Sequence, residues 1–190
     1  MSNLNFKPLG LGQLTRMCQV IRWLLLAFLL IQIGFFILSW IIPMPLKVGP
    51  LHIELDPDGM AAGSVHNLSL VQQTLGVVIG LPGLLALSYG INRLGRALAG
   101  FQTGKIFAMD TISQLRAAAA SMLFSTVLFN IEKPLRGIAF NLAGNGRTYP
   151  VVLEVATNEL LLILVCSLFY LIAGVMHEGR RLSEENEGFI

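Results

Sequence analysis

A chain of 190 residues with a mean hydropathy of +0.70 and only 13% charged side chains carries about half the charge of a soluble domain. That composition excludes an ordinary soluble fold and leaves a single integral membrane unit over 1–190. A formal charge of +2 is too small for direct nucleic-acid binding by the whole chain.

Lys7, Arg16 and Arg22 make the N-terminal stretch basic. Leu14, Met17, Cys18 and Ile21 recur there at helical spacing, which predicts a short interfacial helix running into the first span. That span covers 23–42, the roughly 20 residues that a bilayer core of about 30 Å requires. It exceeds the apolar run of a secretory signal, so it reads as an uncleaved helix. Trp23 and Trp40 stand near its ends, as an interfacial belt places them. Pro43 and Pro45 open a first loop over 43–67. In it Leu51, Ile53 and Leu55 alternate with polar residues, a strand pattern, before the Asp56–Gly59 turn.

The second span covers 68–91. Gly76, Gly80 and Gly83 make a face of small residues for close helix packing. Pro82 reads as a packed kink, with a transporter-like helix break as the sharper alternative. A basic connector follows over 93–111, with Arg93, Arg96 and Lys105 and, just beyond, Arg116, against the single acid Asp110. Leu94, Ala97, Leu98 and Phe101 are expected to continue a helix along the inner surface until Gly100 and Gly104 break it. Asp110 or Thr111 is expected to cap the next helix.

The third span, 112–131, carries Ala117–Ala120, Ser121 and Ser125 on a small-residue face and is expected at the bundle centre. Pro134 is expected to stop it and open a second loop over 132–158. There Asn145-Gly146 is a hairpin-turn dipeptide, and Tyr149, Val151 and Leu153 have strand character. The two loops are therefore expected to form a small β element together. A fourth span over 156–176 leads into a charged helical tail, 177–190, where Arg180 and Arg181 each meet an acid four residues on, Glu184 and Glu185. Cys18 and Cys166 lie at different depths and are expected to be free thiols.

Nine Lys and Arg fall before the first span, in or just beyond the connector (Arg116) and in the tail, and four in the two loops. Basic connectors stay in the cytoplasm, so the expected fold is an all-α bundle of four transmembrane helices with both termini inside. No Ser/His/Asp, Cys/His or phosphate-loop pattern occurs, and no cofactor or enzymatic activity is expected. His52 and His66 with Glu54, Asp56 or Asp58 offer a metal site on the external side, with solvated loop residues as the ordinary reading. No ionisable residue stands firmly inside a span, which argues against a proton-coupled pump. The distinctive inner-face residues are Lys105, Ile106 and Phe107 beside a glycine turn, and Glu184, Glu185 and Glu187 in the tail. Together they offer a protein partner an apolar anchor with an acidic rim.

The connector sequence Gly104-Lys105-Ile106-Phe107 and the tail pattern Glu178-Gly179, Leu182, Glu185-Asn186-Glu187 resemble those of the YoaS-like family, bacterial four-helix membrane proteins of unknown function. The resemblance implies an inner-membrane location and a small helix-turn-helix regulator as a cytoplasmic partner. The function expected is thus a regulatory scaffold. A permease or channel, acting as a homo-oligomer, and a structural subunit of a larger membrane complex are the alternatives.

Overall fold

Four long helices account for most of the chain. A computed structural model describes residues 11–41, 46–48, 51–53, 68–104, 108–144, 148, 149, 151 and 157–187. The helices are α1 (Leu11–Ile41), α2 (Leu70–Gln102), α3 (Met109–Leu142) and α4 (Thr157–Glu187). Each is long and apolar enough to cross a membrane. Their lengths of 31 to 34 residues correspond to about 46–51 Å at 1.5 Å per residue, well beyond a hydrocarbon core of about 30 Å.

Local chemistry sets the ends of α2. Ser69 and Gln72 form a reciprocal capping box: Gln72 N–H donates to Ser69 Oγ at 3.3 Å, and Ser69 N–H donates to Gln72 Oε1 at 3.1 Å. At the other end Gly104 takes φ +73°, a left-handed conformation open to glycine, and its N–H donates to the Phe101 carbonyl. The chain then restarts as α3 at Met109.

The core is the α2–α3 pair, with α1 laid against α2 and α4 against α3. In their most apolar windows α2 and α3 bury 33% and 39% of residues, whereas α1 and α4 bury 6% and 11%. Leucines, isoleucines and phenylalanines of the outer helices, such as Leu30, Ile31, Leu164 and Leu171, stand exposed, a surface suited to an apolar medium or to a further protein. Glycines let the inner pair approach. A Cβ built on Gly80 would lie 2.6 Å from Phe36 Cε2 and 2.7 Å from Glu132 Oε1. Across the same seam Ser125 Oγ donates to the Gly83 carbonyl at 2.8 Å, and Ser121 Oγ to the Ala86 carbonyl at 2.7 Å. The small face expected on the third span is therefore a hydrogen-bonding face as well. α2 runs unbroken through Pro82.

Three expectations about the helices are corrected. Pro134 does not stop α3, which continues to Leu142. The turns beyond it are held by tertiary contacts: Phe140 is 1% exposed against Leu68, Trp40 and Leu75, and its carbonyl accepts from the buried Gln72 Nε2 at 3.2 Å. Those contacts offset the hydrogen bond that proline removes. The connector helix does not lie along a surface. It is the last part of α2, with Ala97 fully buried against Leu115 and Ala173. Finally, the residue at the N-cap of α3 is Ala108, which makes no side-chain cap. Asp110 sits in the first turn, accepting from Gln114 Nε2, and acts there through the helix dipole.

The first loop holds a hairpin of its own, Leu46–Val48 (β1) antiparallel to Leu51–Ile53 (β2), with Lys47 opposite His52. The expected sheet between the two loops is absent among the described residues. Tyr149 has its N–H donated to Asn141 Oδ1 at 2.7 Å and its carbonyl bonded by Asn141 Nδ2 at 3.0 Å, so both ladder groups are already engaged. Leu153 lies outside the described residues. Cys18 and Cys166 are free and buried.

These contacts set an expectation for two like substitutions in α2. Gly80→Ala should lower stability by about 1–3 kcal/mol, the usual cost of overpacking a tight seam. Gly95→Ala should not, because nothing lies within 4 Å of a Cβ there. Thermal unfolding of both variants in one detergent checks it, and equal melting temperatures would contradict the close-packed seam.

Candidate functional site

α3 places a buried charge pair against the glycine seam. Glu132 and Arg136 are 7% and 5% exposed, and Arg136 Nη2 donates to Glu132 Oε1 at 2.5 Å. One helical turn separates them, so both project onto the face that meets α2 at Gly80. The Trp40 ring of α1 lies over the guanidinium, 5.9 Å from Cζ to centroid, as a cation–π partner. Trp40 is thus a packing element between helices, and a Cβ on Gly76 would collide with its ring. Arg136 Nε and Nη1 are buried and have no hydrogen-bond acceptor among the described residues, and Asn130 Oδ1 likewise has no donor. The cluster therefore cancels two charges and keeps two guanidinium donors suited to a further oxygen acceptor.

This pair was missed in the sequence. Its signal, Glu and Arg four residues apart, was present. Pro134 between them reads locally as a helix stop that places Arg136 in a loop, whereas both residues stand on the continuous helix α3. Buried charges of this kind mark functional places more often than solvated ones do.

The opposite end of the bundle is tied by arginines. Arg22 Nη1 donates to Gln102 Oε1 at 3.4 Å, joining α1 to α2. Arg93 Nη1 donates to Gln114 Oε1 at 2.9 Å, joining α2 to α3, and stacks over Tyr89 at 4.8 Å. Arg116 donates to the Tyr170 hydroxyl at 3.0 and 2.8 Å, joining α3 to α4. The start of α1, the turn between α2 and α3 and the end of α4 therefore share one side of the bundle. Arg16, Arg22, Arg93, Arg96, Arg116, Arg180 and Arg181 all belong to these segments.

Of the residues expected to bind a partner, Lys105, Ile106 and Phe107 lie outside the described residues. Glu184, Glu185 and Glu187 lie on the last turns of α4, which stays helical to Glu187; their side chains are outside the described set. Before them Arg181 pairs with Glu178 at 2.5 Å on an exposed surface, three residues apart and in the direction opposite to the acids expected. Of the candidate metal ligands, His52 sits in β2, and His66, Glu54, Asp56 and Asp58 lie outside the described residues.

The fold and its two polar ends define a helical bundle with four helices long and apolar enough to span a membrane. Comparison with protein-family models, with curated proteins and with solved structures found no match.

The buried pair sets the next expectation. Glu132→Gln should cost about 3–5 kcal/mol, because it strands the Arg136 charge inside the bundle. Adding Arg136→Gln should recover part of that loss. A double-mutant cycle by thermal unfolding reads the coupling. A double variant no more stable than Glu132→Gln alone would show that the two charges do not depend on each other.

Proposed function

We propose that the chain is a multi-pass protein of the bacterial inner membrane, with both termini and the α2–α3 turn in the cytoplasm, and that it acts as a non-enzymatic scaffold for a cytoplasmic protein. The observation that carries this reading is α4. Its apolar stretch ends near Met176, yet the helix continues to Glu187, roughly eleven residues or about 16 Å further. We read this charged helix beyond the apolar stretch as the docking element, with Glu184, Glu185 and Glu187 as its acidic rim and the Gly104–Phe107 sequence as the expected apolar anchor. Seven described arginines on that side, against Lys47, Lys133 and the neutralised Arg136 on the other, favour the cytoplasmic assignment. The resemblance to the YoaS-like proteins in the same two segments makes a small helix-turn-helix regulator the first partner to test.

The buried Glu132–Arg136 pair favours a second reading, a permease in which the pair opens to hold a solute or proton. Solute flux in liposomes holding the purified chain alone would select that reading. Retention of a cytoplasmic protein without flux selects the scaffold.

Truncation after Arg181 tests the docking element. It should change stability by under about 1 kcal/mol, as surface changes do, and weaken partner retention by roughly thirtyfold or more, the scale of a hot-spot loss. Loss of stability with unchanged retention would make the tail structural. Reporter fusions after Gly63 and Gly146 should read external and one after Gly104 internal.

A further inference from the structure

α1 and α2 leave a groove of about 490 Å³ between them at the arginine end. Arg22, Leu25, Leu26 and Leu29 of α1 and Asn92 and Arg96 of α2 are among the residues that line it. No acid is among the lining residues. Several other cations on this side are already engaged. Arg93 and Arg116 are engaged with Gln114 and Tyr170, and Arg181 with Glu178. Arg96 makes no hydrogen bond or ion pair among the described residues, and Arg22 makes only the 3.4 Å bond to Gln102. Asn92 and Arg96 stand four residues apart on one face of α2.

We propose that this groove binds one anionic phospholipid, with its phosphate between Arg22 and Arg96 and an acyl chain along Leu25, Leu26 and Leu29. Two guanidinium groups supply planar forks of donors that match phosphate oxygens, and Asn92 adds a neutral donor for the glycerol or headgroup hydroxyls. The leucines begin within one turn of Arg22, the order of charge and apolar surface that a phospholipid's headgroup and acyl chain require. A soluble anion would use the arginines and leave the leucines wet. A partner helix would have to bring acids of its own to both cations. A phospholipid matches both halves and is present at high concentration wherever these helices cross a bilayer. The site involves α1 and α2 only, so it is separable from docking at α4.

The test is native mass spectrometry of the full chain in zwitterionic detergent, with phosphatidylglycerol or phosphatidylcholine added. Phosphatidylglycerol should be retained in preference. Arg96→Gln and Arg22→Gln should each lower that preference at least about fivefold, the worth of one basic side chain facing an anionic headgroup. Arg16→Gln removes the same charge on the same side outside the groove and should leave the preference at the parent value. Leu29→Trp fills the groove with both charges kept and should also reduce lipid retention, and it serves where an arginine variant does not fold. Equal retention of the two lipids overturns the proposal. So does a loss for Arg16→Gln as large as for Arg96→Gln, which would mean diffuse surface charge. Displacement of the lipid by inorganic phosphate alone would assign the arginines to a free oxyanion and overturn it as well.

Discussion

The close approach of α2 and α3 is the constraint on which the rest of the structure depends. Between two apolar helices in hydrocarbon there is no hydrophobic drive to associate, so contact area and polar bonds decide the packing. Glycine at 80 and 83 removes the side chains that would hold the helices apart, and Ser121 and Ser125 then reach α2 carbonyls at 2.7 and 2.8 Å. Each such bond contributes only about 0.6 kcal/mol on average in a membrane, but the short distance also brings Glu132 against Gly80. A larger side chain at 80 would displace the acid and with it the Arg136 pair. The seam and the buried charges are one construction.

The two ends of that seam treat charge differently. At one end the pair is closed in, neutral overall and roofed by Trp40. At the other, arginines extend from the helices to a glutamine or a tyrosine on the next helix, which ties α1 to α2, α2 to α3 and α3 to α4 in chain order. Long guanidinium side chains can do this because their stems cover apolar surface while their heads stay polar. The outer helices need such ties, because α1 and α4 bury little of themselves. The groove between α1 and α2 lies where the first of these ties is longest, and its leucines and arginines are left to another molecule.

Much of this was legible in the residues. The apolar runs located four helices, because nothing else satisfies a long apolar backbone in lipid. Gly76, Gly80 and Gly83, and Ser121 and Ser125, announced which faces would meet. The helical tail was visible as well. Less legible was everything that depends on a partner distant in sequence. Pro134 is a stop signal by local rules, yet Phe140 and Gln72, 68 residues apart, hold the helix through it. Tyr149 has strand character, yet Asn141 takes both of its ladder groups.

By itself, then, the sequence determined the number of helices, the places of their apolar centres, the small-residue faces of α2 and α3 and the uneven distribution of Lys and Arg. These are properties of composition and period, read over windows of about 20 residues. Only the tertiary structure decided that Glu132 and Arg136 are interior, that Trp40 caps them, that the connector is an upright part of α2, and that Arg22 and Arg96 face one groove. Each of those depends on which helix lies opposite, and a buried charge is tolerated or not according to the partner packed against it.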